Sequence, residues 1–327
     1  MQGHAQEYAQ CSVCGSTGVD VYFGLKDQLY GTPGEWKITQ CSNEDCALAW
    51  LNPRVAKESL ASLYIDYYTH AGDSVGPVSR AEPTSSQGLL SGLRRISGLE
   101  KARKNAALMY LSGLDVGRVL DVGCGNGMRL RLFTELGWIA EGQDVDAAAV
   151  EYARKSTGLT VHLEEIDEMG EQQGSYDAVV MNHVLEHVPD PCLLLAECKR
   201  LLRPGGKLVA VVPNFSSTGH SFFKRSWWGL DPPRHLYHFS PNNLRKMASL
   251  AGLPCAKTFS SVANAEIIAL SSFMVRRKIP MTMPHRIGRL ARVLALVWQF
   301  VSIVDNWVRP ERGDECVLIW TATEIGD

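Results

Sequence analysis

Arg118-Val119-Leu120-Asp121-Val122-Gly123-Cys124-Gly125-Asn126-Gly127 decides the fold of this chain. An apolar run (Val119, Leu120, Val122) gives way to glycines at alternate positions, and an amphipathic segment follows from Met128 to Leu136. The pattern is that of a buried strand feeding a tight turn and then a helix. Glycine at 123, 125 and 127 leaves no Cβ to hold a ligand off the backbone. The start of the helix beyond offers N–H groups that have no partner within the helix. The spacing is G-x-G-x-G, which differs from the G-x-G-x-x-G of dinucleotide pyrophosphate sites. The turn carries no Lys-Ser/Thr pair, which a phosphate-cradling P-loop needs. A dehydrogenase is therefore disfavoured.

Working outward, Trp138 to Asp146 reads as a second strand ending in acidic residues, with Asp144 placed where a carboxylate can accept ribose hydroxyls. Leu159–Leu163 reads as a third strand. Ser175 to Asp190 reads as a central strand with a loop beyond it, and Leu201 to Val209 as a helix end, a Pro-Gly-Gly turn and a strand. These blocks, in this order, resemble the class I S-adenosylmethionine (SAM)-dependent methyltransferases over residues 100–260. VLDVGCGNG is similar to that family's first SAM motif, and LLRPGG to a second signature. The resemblance implies an α/β fold built on a Rossmann-like seven-stranded methyltransferase sheet, mostly parallel, with SAM across the carboxyl ends of the first strands. Carried over residue by residue, Asp121, Gly123, Gly125 and Gly127 meet the methionine part of SAM, and Asp144 takes the ribose hydroxyls. Glu165, or Glu164 beside it, sits near the adenine amino group, and Asn182 and His183 border the sulfonium.

The chain has 327 residues, an ordinary globular composition and a net charge of −2, which gives no general attraction to nucleic acid. Met1 to Gln10 is polar and lacks the apolar stretch of a signal peptide. The nine cysteines are an odd count, and Cys124, Cys198 and Cys316 fall at expected core positions. A disulfide framework is disfavoured and a reducing, cytoplasmic setting expected.

Cys11-x2-Cys14 and Cys41-x4-Cys46 bring four thiolates within reach of one tetrahedral Zn²⁺. With every ligand position filled by sulfur, such a metal is structural. The second pair has four intervening residues where ribbons usually have two. Val19–Leu25 and Glu35–Gln40 suit a small β-ribbon between the pairs. This front segment resembles the cysteine ribbons of bacterial methyltransferases of secondary and cell-surface metabolism. The following Leu51-Asn52-Pro53-Arg54 and the tyrosines Tyr64, Tyr67 and Tyr68 share in that resemblance. It implies a zinc-ribbon-like module packed on the catalytic domain and helping to wall the acceptor pocket. Tyr67 and its neighbours then line the pocket or, as aromatics at helical spacing more often do, join the core.

The expected organisation is a module and connecting helix over 1–69, a Gly/Ser/Pro/Thr-rich linker or lid over 70–92, and a methyltransferase domain over 93–327. That domain opens on a helix from Leu93 to Leu111. Its insertions are 216–240 and, before the last strand (Glu315 to Thr323), a helical one over 261–312. Within the second, Arg276, Arg277, Lys278, Arg286, Arg289 and Arg292 are basic, and Val293 to Val304 is uncharged and apolar. The preferred reading is a helix packed on the protein's own core or in a homodimer interface. The alternative is peripheral contact of 276–308 with an anionic membrane or a greasy acceptor. Twelve apolar residues are too few to span a bilayer.

Methyl transfer is an in-line displacement, so an oxygen acceptor needs alignment and a base. His235, His187 and His238 are the candidates, in that order, because histidine titrates near neutrality. Arg234 is the candidate to orient the acceptor, with Tyr237 beside it. The expected activity is methyl transfer to a small molecule, an oxygen of a glycosyl, phenolic or lipid-linked acceptor. C-methylation of a sugar or quinone-type acceptor is the alternative, and rRNA methylation a more distant one, with no nucleic acid partner expected from the charge.

Overall fold

The computed structural model describes residues 6–56, 60, 63, 98–170 and 173–323. The 70–92 linker, Tyr64, Tyr67, Tyr68 and the start of the helix expected from Leu93 lie outside those residues. In chain order, β1 (Gly18–Leu25), β2 (Trp36–Cys41) and β3 (Ala49–Asn52) make an antiparallel meander. Helix α1 (Leu99–Ala107) precedes β4 (Arg118–Val122), α2 (Met128–Glu135), β5 (Ile139–Asp144), α3 (Ala147–Thr157), β6 (Val161–Leu163) and β7 (Tyr176–Asn182). There follow α4 (Pro191–Leu201), β8 (Leu202–Pro213), α5 (Thr218–Phe223), β9 (Tyr237–His238), α6 (Pro241–Leu250) and β10 (Lys257–Ser261). Helices α7 (Ala265–Arg277) and α8 (Arg289–Val308) lead into β11 (Glu315–Thr321).

Seven strands form one sheet in the order β10-β11-β8-β7-β4-β5-β6. The pairs among β4, β5, β6, β7 and β8 are parallel, whereas β11 runs antiparallel to both β8 and β10. Consecutive strand residues point to opposite faces, and both faces here are covered, which is why β7, β8 and β11 carry the apolar runs Ala178–Met181, Leu208–Val212 and Cys316–Trp320. Val119, Val180 and Val209 pack on one side with Leu130 and Phe133 of α2. Leu120, Val179 and Leu208 pack on the other with Leu195 of α4 and Leu244 of α6. Each such aliphatic side chain contributes roughly 1.5–3 kcal/mol by leaving water.

The helices begin where short polar side chains satisfy the free N–H groups of the first turn. Asp146 accepts from the N–H of Ala148 and Ala149 at the head of α3. Asp190 accepts from Leu193 with Pro191 in the first turn of α4, and Ser240 and Asn243 form a reciprocal capping box on α6.

The cysteine module is welded to the catalytic domain. β3 pairs with β9, Ala49 opposite His238 and Trp50 opposite Tyr237, extending the meander to four strands. Arg54 lies between the rings of Tyr8 and Tyr237 and donates to the Tyr237 hydroxyl at 2.9 Å. At the other end Arg234 has 0% exposure. It donates to both Asp231 carboxylate oxygens, at 2.6 and 3.0 Å, and to Asp27 of the module at 2.9 Å.

The apolar segment expected from Val293 belongs to a 20-residue helix, α8, that starts at Arg289, because arginine is as good a helix former as leucine. Packing on the protein's own core holds for one face of it only. Leu290, Val297 and Val301 on the other face are exposed.

Replacing Arg234 by methionine strands two buried carboxylates. Loss of about 3–5 kcal/mol in urea unfolding is expected. A variant as stable as the parent would show that this ion cluster does not hold the module in place.

Candidate functional site

The turn after β4 runs through positive φ at Gly123, Gly125 and Gly127 (65, 53 and 75°). At Gly123 any larger residue is excluded twice, by that backbone conformation and by space, since an added Cβ would lie 2.4 Å from Val184. Gly125 N–H donates to Asp144 Oδ2 at 2.9 Å and Asp146 N–H to Oδ1 at 3.0 Å. The carboxylate at the end of β5 is thus locked beside the turn, with a further lone pair on each oxygen for an incoming donor. Burial raises its pKa. Asp121 is fully buried, its Oδ1 accepting from Arg129 at 3.0 Å while Oδ2 has no hydrogen-bond partner among the described residues. Burial raises the Asp121 pKa against the pull of Arg129. An orphaned buried oxygen, a Cβ-free turn and an anchored carboxylate at the carboxyl ends of adjacent parallel strands fit a polar nucleoside ligand bearing an amino group.

Val184, the residue that closes over Gly123, belongs to the loop leaving β7, and that loop carries the second half of the site. His183 adopts φ 55° and donates from Nδ1 to Glu186 and from Nε2 to Glu315, each at 3.1 Å. Burial opposes a charge on His183, but the two carboxylates outweigh it and raise its pKa to about 9. Glu315 in turn accepts from Asn264 at both oxygens. Glu186 is 1% exposed, and its Oε2 is without a partner among the described residues.

Next to it, the His187 and His235 rings meet edge to face at 4.6 Å. His187 donates from Nδ1 to the Arg234 carbonyl at 3.1 Å, and His235 from Nδ1 to the Gly229 carbonyl at 2.8 Å. Those bonds hold the proton of each ring on Nδ1 and turn Nε2 away from the two carbonyls. Burial, aided by His235, lowers the His187 pKa to about 4, so that ring is neutral at physiological pH. His235 Nε2 is buried without a hydrogen bond among the described residues. One donor atom each from Glu186, His187 and His235 lie within 4.8 Å of one another, so the same trio could also hold a divalent cation.

A family model described as a methyltransferase domain matches residues 91–257. The chain belongs to that family. With the fold above, this makes it a SAM-dependent methyltransferase. The ubiquinone biosynthesis O-methyltransferase of Xanthomonas oryzae pv. oryzae is 40% identical over 97 residues, 28% of this chain and 41% of that protein. The protein of the same name from Xanthomonas campestris pv. campestris is 38% identical over the same length. The chain thus spans less than half the length of these relatives. Among solved structures, Haemonchus contortus phosphoethanolamine N-methyltransferase 2 with SAM is 17% identical with a TM-score of 0.47, covering 67% of this chain and 52% of that one. A SAM-dependent methyltransferase from Archaeoglobus fulgidus is 18% identical with a TM-score of 0.45, covering 72% and 100%.

Not every residue singled out in the sequence reaches the methyltransferase site. Arg234 is not placed to orient an acceptor, because its guanidinium is spent on Asp27 and Asp231. Tyr237 is 4% exposed and donates its hydroxyl to Pro189 O while accepting from Arg54, so it too is a tie and not a pocket wall. His238 is buried in β9 with its ring 6.4 Å from that of His235, and burial pushes its pKa far below the usual value. Glu164 turns its carboxylate toward His162 at 3.6 Å, whereas Glu165 is exposed at the end of β6. Asn182 closes β7 at its carboxyl end, half-buried. Sequence reasoning missed Glu186 and Glu315. A lone glutamate heading an apolar strand was the available signal for Glu315.

In the module, Cys11 Sγ lies 3.6 Å from Cys46 Sγ and Cys14 Sγ 3.4 Å from Cys41 Sγ. All four sulfurs fall within 4.8 Å of one another. A tetrahedral site with zinc–sulfur bonds of about 2.3 Å has edges of about 3.8 Å, so four thiolates here fit one such ion. The longer second spacing is absorbed by a turn in which Cys46 and Ala47 N–H both donate to Asn43 O.

Asp144→Ala removes the anchored acceptor beside the turn. SAM binding should weaken by ~2–4 kcal/mol in calorimetry, and an unchanged affinity would place the ribose elsewhere. Stability should also carry the signature of His183. Its raised pKa stabilises the fold fully below pH 6.5, and that contribution is lost as pH climbs through about 9. In His183→Gln, unfolding free energy should lose this decline between pH 6.5 and 9.

Proposed function

We propose that the chain transfers the SAM methyl group to an oxygen of a small-molecule acceptor, of glycosyl, phenolic or lipid-linked type, seated against Glu186, His187 and His235. The observation that carries this reading is the pair of imidazoles whose Nδ1 atoms are tied to backbone carbonyls. That arrangement supports a proton acceptor held in one orientation beside the end of β7. Bound SAM supplies a methyl on a positively charged sulfur, open to in-line attack by the acceptor oxygen.

The chain's own residues would do the rest. His235 Nε2 takes the hydroxyl proton as the oxygen–carbon bond forms and the carbon–sulfur bond breaks, and Glu186 stabilises the resulting imidazolium. His187, kept neutral by burial, orients the acceptor hydroxyl. Trp228, edge-on to both His183 and His235, excludes water from between them. That excluded environment strengthens each of these interactions. The similarity to O-methyltransferases over 97 residues supports an oxygen acceptor. In the module, Cys11, Cys14, Cys41 and Cys46 suit a structural Zn²⁺ that fixes the two knuckles from which β1 to β3 spring.

The test uses SAM with a radiolabelled methyl group and a panel of hydroxylated phenols, sugars and lipid-linked glycans. His235→Ala should lower kcat by about 100-fold or more with SAM affinity unchanged. Label found on carbon would reassign the acceptor, and a His235→Ala enzyme of full activity would remove the base. Activity lost to a chelator that leaves the cysteine-bound metal in place would make the Glu186–His187–His235 trio a cation site instead. Separately, Cys11→Ser should lose about one metal ion per chain in elemental analysis, and full metal content in that variant would refute the four-cysteine site.

A further inference from the structure

Helix α8 is built into the protein by one face and left open on the other. Ala291, Ala295, Gln299, Ser302 and Ile303 are buried. Leu290, Val293, Val297, Val301, Val304 and Val308 follow one another at three- and four-residue steps and are 44–76% exposed. On a helix those steps make one continuous stripe along the whole outer face. An aliphatic stripe of this length on the outside of a protein marks a contact surface. Trp307, 68% exposed, stands near its far end.

The charge around the stripe names the partner. Between Glu266 and Asp305 the sequence has no acidic residue, while Arg276, Arg277, Lys278, Arg286, Arg289 and Arg292 are all cationic and exposed. A second copy packed stripe to stripe would cover the apolar residues but set these cations against their own counterparts, with no acidic residue between positions 266 and 305 to match them. An anionic lipid surface supplies both halves, acyl chains for the stripe and phosphates for the basic residues.

We propose that the α7–α8 hairpin docks this methyltransferase on an anionic membrane surface, with α8 lying in the plane of the interface. By length and composition α8 could cross a membrane, but its inward contacts rule out that orientation. Gln299 donates to Val262 O at 2.7 Å and accepts from the Glu266 N–H at 3.1 Å, and Asp305 accepts from the Thr218 hydroxyl. Moving α8 into hydrocarbon would leave all of these groups unpaired. Lying flat, the helix keeps them and buries only its outer stripe, with Trp307 at headgroup depth.

The hairpin also touches the candidate site, because the Trp228 N–H donates to Ser272 of α7 at 3.0 Å. The inference goes beyond the proposed acceptor chemistry, since docking requires no acceptor.

Full-length protein loaded with SAM would be sedimented with vesicles of phosphatidylcholine alone or with roughly one quarter phosphatidylglycerol. Binding should be at least about tenfold stronger to the anionic vesicles, should weaken as salt is raised, and should fall about tenfold in the double variant Val297→Asp/Val301→Asp. Unchanged SAM affinity and thermal midpoint would show that this variant is folded. Equal binding of parent and variant, or no preference for anionic lipid, would overturn the proposal. So would a parent dimer that the variant splits in light scattering, which would give the stripe to a second copy. Methylation of a water-soluble acceptor should be the same in both proteins, which separates this test from that of the acceptor chemistry.

Discussion

A guanidinium with no access to water has to be matched by carboxylates on the spot, and Arg234 is such a group. One of its partners, Asp231, comes from the insertion after β8, and the other, Asp27, from the cysteine module 207 positions earlier. Tyr30 of the module adds its ring at 4.3 Å. Leaving any one of these charges alone in the interior is far more costly than assembling them all, so the module has a single place to sit. Much else follows from that placement. β3 meets β9, Arg54 slots between two tyrosines, and His235, the next residue after Arg234, is carried into contact with His187.

What could be read from the sequence was what is decided locally. The apolar runs of β4, β7 and β8 announce strands covered on both faces, and Asp190-Pro191 and Ser240-Pro241 announce helix starts through chemistry confined to one turn. Gly123 could be recognised from the alternating glycines after an apolar run, and the structure supplies the reason, since only glycine fits both its φ and the approach of Val184. Pairings between distant segments left weaker marks. Ala49-Trp50-Leu51-Asn52 gives no hint of its partner at 237–238, since any short apolar strand would look the same. The third strand starts at Val161 and not Leu159, and α8 starts four residues before its apolar run, because arginine at a helix start resembles arginine in a loop.

The site shows the same division. His187 and His235 stood out as titratable residues in segments leaving the carboxyl edge of the sheet, and their rings are in contact. Arg234 and Tyr237 stood out just as strongly and serve the scaffold. An arginine aimed at a ligand and one aimed at Asp27 have the same neighbours in sequence. Glu186 was passed over because its importance lies in what surrounds it, His183 bonded to one oxygen and donor atoms of the paired histidines within 4.8 Å. That network exists only once the loop beyond β7 has closed over the glycine turn.

The position of β11 ties the assembly of the site to the order of synthesis. This strand enters between β8 and β10, and its first residue, Glu315, holds His183. A ribosome must therefore deliver the chain through Thr321 before β8 and β10 can be joined or the histidine can find its second carboxylate. Until then β8 presents an open edge to any passing strand. The nascent protein can form its glycine turn and its cysteine module early, yet its sheet stays open and vulnerable to mispairing. The segment that ends this exposure is the one that brings Glu315 to His183, so the charge network and protection from aggregation arrive in the same folding step.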